Sequence, residues 1–444
     1  MLLHEWLLAS PHRTLDPSEA DWFYVPVYAT CAIVTHIFET PSTPRLKYRV
    51  ARAAQLYQQA LAHVRDSLPY WNASGGVDHI WTFGYDEGAC FAPAALRPSL
   101  LISHWGNTMA AHNRCTTTYD PDRWDPPYDP PSGLPLSSLR GNHACYDPSK
   151  DIILPSFKDP ARFAPDPAGL DSPQRPRQRL FFFSGDLGSP DGAQNAGPHT
   201  HANYSLGLRQ AAYRAARGSG GKGGGKGGGR GGGKGGRSGG AKDGGKGGGE
   251  VEVVGHLPQD WWHAQYAARL RSSVFCGAFP GDGWSGGISS AVLAGCVPVI
   301  VMDGIEMPFE NVLDTLSASP SPNPSPNPSP GPSPSLNTDQ VLDYSSFSIR
   351  LTEAELPRLP QLLRAVPRAR IAALQEGVRR VRSRFTYAST AANDLRVSPN
   401  ASLAAPVLAR VAAAAAVSED ALDTVLRVLL HRAAHRPPRR GGAA

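Results

Sequence analysis

Over the first 216 positions, short apolar runs alternate with stretches whose apolar residues recur at helical spacing. Residues 21–28, Asp-Trp-Phe-Tyr-Val-Pro-Val-Tyr, form an aromatic and β-branched run that reads as a buried strand. Positions 46–68 keep their apolar residues on one helical face, with Arg and Gln on the other. Further strands are predicted at 77–83, 100–105, 151–155 and 180–185, the last carrying Phe181, Phe182 and Phe183. A Pro- and Asp-rich loop fills 114–139, and a helix is predicted at 204–217. The second half repeats the alternation, with strands at 251–254, 274–279, 297–301 and 347–351. Helices fall at 260–272, 285–294, 359–385 and 403–431. Two successive runs of strand–helix alternation are the pattern of two doubly wound α/β domains facing across a cleft.

Two tracts break this pattern. Residues 217–249 hold 21 glycines, eight Lys or Arg and one Asp, and residues 317–335 hold eight prolines that mostly alternate with Ser or Asn. Gly/Lys repeats bury no apolar surface and Pro-Ser repeats favour extended polyproline II, so both are expected to be disordered insertions, not domains. The first tract also sets the charge. The chain carries +6, but without that tract 36 basic residues face 37 acidic ones. A nucleic-acid-binding role is therefore not expected, because the basic excess lies outside the folded surface.

No run approaches the ~18 apolar residues of a membrane span, and no signal peptide is visible. Residues 1–6, Met-Leu-Leu-His-Glu-Trp, read as the middle of an amphipathic helix, so the chain is expected to start inside a longer product. Six cysteines, Cys31, Cys90, Cys115, Cys145, Cys276 and Cys296, include no CxxC pair. With no Asp-x-Asp beside a strand end either, no metal site is expected. Sequons at Asn72, Asn203 and Asn400 fit a lumenal protein, yet reduced buried thiols in a cytosolic one fit the cysteines equally well.

The sharpest local feature is residues 279–287, Phe-Pro-Gly-Asp-Gly-Trp-Ser-Gly-Gly, between a predicted strand and a predicted helix. Backbone N–H groups at such a turn can hold phosphate oxygens. Gly281, Gly283 and Gly286 spell GxGxxG, and Asp303 after the next strand stands where a dinucleotide site keeps its ribose-binding acid. An NAD(P)-dependent dehydrogenase is one reading of this turn, and a tight strand-to-helix turn without a ligand is another.

A longer series of blocks resembles the exostosin-like glycosyltransferases, family 47, of the algal and plant branch. These blocks run from 20–28 and 69–79 into Asp86-Glu87-Gly88-Ala89-Cys90, then through 150–155, 179–185 and 204–210. The strongest are 271–276, 280–285 and 291–300. The resemblance extends from about position 3 to about 385. It implies a GT-B-like fold of two Rossmann-like domains, with the acceptor held mainly by the first and the nucleotide sugar by the second. It also implies inverting transfer, without a cofactor or essential metal, from a UDP-linked sugar to a glycan or cell-wall-type polysaccharide, on the lumenal side of the Golgi. Members are typically anchored by a membrane segment, and none is expected within this sequence.

On that reading, 1–216 is the acceptor-side domain, 250–400 the donor-side domain with a Ser/Pro-rich loop at 317–337, and 401–444 a C-terminal helix and tail. Arg209, Arg271, Ser272, Gly281, Asp282, Gly283, Trp284 and Ser285 are the candidates for nucleotide-sugar binding. Arg and backbone N–H groups are the usual means of neutralising a departing diphosphate where no metal does so. Asp86 and Glu87 are the candidates for the general base that inversion requires. Trp71, Trp81, Trp261 and Trp262 are expected in the core and Trp284 near a ligand. The family has an Arg two residues after the motif Ser and an acid before the helix Ala, where this chain has Gly287 and Ser290. It often has a His where Tyr85 stands. These departures leave open a catalytically weak or inactive binding module.

Overall fold

A computed structural model of the chain describes residues 2–32, 49–109, 144–158, 163, 177–188, 204–218, 250–257, 259–281, 283–310, 342–387 and 420–434. The first half contributes α1 (Leu2–Ala9), β1 (Phe23–Val25), α2 (Arg49–Ser67), α3 (Pro69–Ser74), β2 (His79–Phe83), β3 (Leu100–Ser103), β4 (Gly106–Asn107) and β5 (Ile152–Ile153). Then follow β6 (Arg179–Ser184), α4 (Leu208–Gly218), β7 (Val251–Val254), α5 (Gln259–Arg271), β8 (Ser273–Ala278), α6 (Gly287–Leu293) and β9 (Val297–Ile300). The last elements are β10 (Ile305–Glu306), β11 (Ile349–Arg350), α7 (Leu359–Arg364), α8 (Arg368–Val381) and α9 (Ala421–Ala434).

The protein is α/β, with two separate, wholly parallel sheets. One has the order β1-β2-β3-β5 and the other β11-β9-β8-β6-β7. A two-residue antiparallel ribbon, β4 against β10, connects the chain beyond the first sheet to the chain beyond β9. Both sheets are covered on two faces, so their strands read as continuous apolar runs. Phe181 and Phe182 are fully buried and Phe183 nearly so, although adjacent side chains point to opposite faces of β6.

The packing makes one large core and one small one. The small core lies where α2 covers the first sheet. Ala53, Tyr57, Leu61 and Val64 recur at helical spacing on its buried stripe. Tyr57 stacks on Phe83 at 4.2 Å and donates its hydroxyl hydrogen to the Thr82 carbonyl. The large core takes in Ile80, Ile102 and Ile152 of the first sheet, the whole second sheet, and Leu422, Val425, Val428 and Leu429 of α9.

Element positions follow the hydrophobic pattern, with several shorter than expected. The run at 21–28 yields only β1, which ends before Pro26, whose nitrogen cannot donate to a ladder. The helix expected over 359–385 is broken at Pro367, which caps α8. Arg217 and Gly218, the first residues of the Gly/Lys tract, belong to α4. The rest of that tract, the Ser/Pro tract and the loop at 114–139 lie outside the described residues. Four cysteines pair as Cys90–Cys145 and Cys276–Cys296, while Cys31 is free and exposed.

Candidate functional site

In chain order the five strands of the second sheet take the arrangement 2-1-3-4-5, so the winding reverses between β6 and β8. Ligands of open α/β sheets bind outside the carboxyl ends of the strands at such a reversal. The chain beyond β8 is the glycine-rich turn. Gly281 bridges to Gly283, and the Gly281 N–H donates to the Trp284 carbonyl at 3.3 Å. Gly283 has φ +106°, and a Cβ there would lie 2.1 Å from the Asp86 carbonyl oxygen.

Arg209, in the first turn of α4, crosses the crevice between β6 and β8. Its Nη1 donates to the Asp186 carbonyl at 3.0 Å and to the Tyr204 hydroxyl at 3.2 Å, while Nη2 reaches the Phe279 carbonyl at 3.5 Å. The guanidinium lies 5.4 Å over the Phe183 ring and 5.2 Å over the Tyr204 ring. Its Nε is buried without a hydrogen-bond partner. Ahead of it, Ser205 and Leu206 both hold φ 56°, a left-handed conformation that costs of order 1–3 kcal/mol each. In that conformation the Ser205 hydroxyl donates to the Pro280 carbonyl at 2.5 Å, fastening the start of α4 to the turn.

The loop after β2 meets the same turn from the first sheet. The Trp284 indole N–H donates to Asp86 Oδ1 at 2.7 Å, and the Trp284 backbone N–H donates to the Asp86 carbonyl at 3.0 Å. Glu87 is 1% exposed, and its Cα lies 3.4 Å from where a Cβ on Gly283 would sit. From the chain beyond β3, the His104 ring lies 5.5 Å from Trp284, and from the chain beyond β5 the Lys158 ammonium lies 5.9 Å over the Trp284 ring. The Ser156 N–H donates to Ser289 Oγ at 3.1 Å. The expected cleft between the turn and Asp86 is thus a direct contact, with a cavity of only about 20 Å³ beside it.

The structure brings Asp86, Glu87, Arg209, Gly281, Gly283, Trp284 and Ser285 to one seam. Arg271 and Ser272 are not part of it. They precede β8, whose six residues span about 20 Å, so they lie at the opposite edge of the sheet from the turn. There the Arg271 carbonyl accepts from Arg177 Nη1 at 2.8 Å, and Ser272 Oγ accepts from Arg179 Nη1 at 2.7 Å. Asp282 and the side chains of Trp261 and Trp262 lie outside the described residues. Trp71 and Trp81 are core residues. Asp78 and His79 form a buried pair at 2.8 Å at the start of β2.

Gly287 and Ser290 both sit in tight surroundings. A Cβ on Gly287 would meet the Gly277 carbonyl at 3.0 Å, and Ser290 is 1% exposed. His104, which the sequence reading passed over, belongs to the seam. A lone His one residue past a short strand has no local signature, and only its place at a carboxyl strand end marks it. Among the described residues, no group of three His, Cys, Asp or Glu is placed to hold a metal ion, and no helix is long and apolar enough to cross a membrane.

A parallel-sheet α/β protein with a glycine-rich turn at the strand-order reversal places its candidate ligand site at that turn, and comparison with known proteins narrows the class. The chain belongs to the exostosin GT47 family, whose domain matches residues 1–319. It is 25% identical over 375 residues to a probable glucuronosyltransferase of Oryza sativa subsp. japonica, a match covering 83% of this chain and 63% of that protein. A probable glucuronosyltransferase of Physcomitrium patens is 25% identical over 315 residues, 70% of this chain and 53% of its own length. A probable beta-1,4-xylosyltransferase of Arabidopsis thaliana is 25% identical over 321 residues, 70% and 58% respectively. The chain spans between about half and just under two thirds of these relatives' lengths.

Proposed function

We propose that this chain is an inverting glycosyltransferase that moves a sugar from a uridine diphosphate sugar to a cell-wall-type polysaccharide in the Golgi lumen. The two sheets are its two Rossmann-like, GT-B-type halves, donor on the second and acceptor on the first. The observation that carries this reading is the meeting of the Gly281–Ser285 turn, at the β6/β8 reversal, with the Asp86 loop of the first sheet. Arg209, already seated beneath the turn, supplies positive charge for a departing diphosphate, and the N–H groups of the turn supply directed donors. Asp86 faces the turn from the acceptor side and orients the acceptor hydroxyl. Glu87, sealed beneath it, supports the loop. The relatives named above transfer glucuronosyl or xylosyl groups according to their names, so these sugars are the first donors to try.

The dinucleotide reading has less support, because the fingerprint belongs on the first strand of its sheet, which here is β6 and not β8. Asp303 is also engaged, its carboxylate accepting from the Glu353 N–H at 3.2 Å. The binding-module reading keeps one observation in its favour, the small uncharged residues at Gly287 and Ser290.

The test is calorimetry with uridine diphosphate, UDP-xylose, UDP-glucuronic acid and NAD. Uridine nucleotides are expected to bind, and Arg209→Lys to weaken them by ten- to a hundredfold, the loss of a charge-assisted hydrogen bond of ~1.5–3 kcal/mol. Binding of NAD alone would favour the dehydrogenase. Nucleotide binding without transfer to any glycan would favour the binding module.

A further inference from the structure

We propose that His104 is the group that takes the proton from the acceptor hydroxyl, an assignment that rests on the glycosyl-transfer reading above. His104 follows the carboxyl end of β3, in the loop layer of the first sheet that meets the donor turn. Its Nδ1 lies 3.1 Å from the Leu154 carbonyl oxygen. A carbonyl only accepts, so Nδ1 carries the hydrogen and Nε2 is left with a lone pair. This is the tautomer a general base needs, with the imidazole held from behind by the backbone.

The ring also faces the right space. His104 lines the small cavity beside the turn together with Ser156, Trp284, Ser285, Ser289 and Glu306. Its volume of about 20 Å³ suits one water-sized group, such as a single hydroxyl. One wall is the chain beyond the strands of the first sheet, another is the turn, where the diphosphate is proposed to sit, and the segment 302–308 around β10 closes the third side. An acceptor hydroxyl entering there stands between a base and the donor. Asp86 is less suited to the proton. Its Oδ1 already accepts the Trp284 indole hydrogen at 2.7 Å and is engaged in holding the turn.

The step balances without a further reactant. The acceptor oxygen forms its bond to the anomeric carbon as the bond from that carbon to the phosphate oxygen breaks. The nucleoside diphosphate leaves with the electron pair, and the acceptor proton passes to His104 Nε2. The resulting imidazolium keeps its Nδ1 hydrogen bond and returns the proton to solvent. Its surroundings favour that return. Burial pushes the His104 imidazolium below the ordinary histidine value of 6.5; the Leu154 carbonyl works the other way, and the Lys158 ammonium adds to the burial. The charged groups around the ring are Lys158 from the β5 side, Asp86 beyond Trp284, and Glu306 of β10 in the same cavity. Base catalysis by His104 therefore predicts a rate that falls as pH drops through a value below 6.5, as Nε2 becomes protonated.

The experiment follows uridine diphosphate release from UDP-xylose and UDP-glucuronic acid with xylan oligosaccharides across pH 5–9, alongside calorimetry of uridine diphosphate binding. The variants are His104→Gln, whose amide keeps a donor for Leu154, and Asp86→Asn. For His104→Gln the expectation is a fall in kcat of at least a hundredfold, with nucleotide affinity and melting temperature unchanged and the acid limb of the pH profile abolished. Asp86→Asn should keep the acid limb. If His104→Gln transfers sugar within threefold of the parent and keeps the limb, the assignment to His104 is wrong while glycosyl transfer stands. If the unaltered protein neither binds uridine diphosphate nor releases it from either donor, both readings fall together.

Discussion

At Gly283 the turn beyond the second sheet meets the loop beyond β2, and its lack of a side chain decides the approach. Its φ of +106° is one that L residues avoid, and the Asp86 carbonyl occupies the space a Cβ would need, at 2.1 Å. Gly207 has a positive φ of +76° as well, but a Cβ there meets nothing within 4 Å. The pair separates backbone strain from crowding. Gly207→Ala should cost about 1–2 kcal/mol, the left-handed penalty alone. Gly283→Ala should cost about 2–5 kcal/mol, because overpacking against a backbone atom adds to that penalty. Gly283→Ala should also weaken uridine diphosphate binding, since the turn must lift from Asp86. Chemical denaturation of both variants, with calorimetry of nucleotide binding, checks this. Equal destabilisation would mean that the turn and the Asp86 loop do not touch in solution.

Each sheet has one disulfide beside it or in it. Cys276–Cys296 closes a 20-residue span from the middle of β8 to the residue before β9, around the turn and α6. Cys90–Cys145 closes a 55-residue span beside the first sheet. The loop-entropy relation gives about 3 and about 4 kcal/mol for spans of these lengths. Removing the shorter bridge as Cys276→Ala with Cys296→Ala should therefore lower the melting temperature and loosen the glycine-rich turn. Peptide mass mapping without reductant should find both pairs, with the exposed Cys31 alkylated. If Cys276 and Cys296 alkylate in the unreduced native protein, the pairing is wrong. Neither bridge was legible in the sequence, because spacings of 20 and 55 carry no pairing signal. Long apolar runs were legible. β7 falls on the four residues expected, and α5 within one residue at each end. The β4–β10 ribbon was not, since two residues show no alternation. Arg271 joins the candidates as a basic residue at a motif position of the family resemblance, but the intervening strand β8 puts it and the turn at opposite edges of the sheet.

Across the whole molecule, the seam is held by more than the site. Apolar residues of both sheets belong to one core, and α9 packs into it with Leu422, Val425, Val428 and Leu429. Polar contacts fix the same helix at three places. The Trp22 indole donates to the Leu429 carbonyl at 3.0 Å, Arg384 Nη1 donates to Thr424 Oγ1 at 2.8 Å, and Arg432 donates to the Lys150 carbonyl. Arg432 also faces the buried Asp151, which accepts from the Leu101 N–H at 3.0 Å. A helix so placed is part of the fold. Burying four aliphatic side chains contributes roughly 6–12 kcal/mol at ~1.5–3 kcal/mol each, as large as the usual net stability of a domain. A chain ending at Tyr387 should therefore lose its near-ultraviolet circular dichroism and become sensitive to limited proteolysis in both sheets. It should lose uridine diphosphate binding as well, because the turn, Arg209 and the Asp86 loop are aligned only while the halves stay packed. The untruncated chain should unfold in one thermal transition, since both sheets share the large core and the first sheet has only the small one to itself. A truncated chain that keeps its melting temperature within a few degrees would show that α9 is an appendage. Two well-separated transitions in the untruncated chain would show that the sheets are stable apart, and that the site is assembled only when they dock.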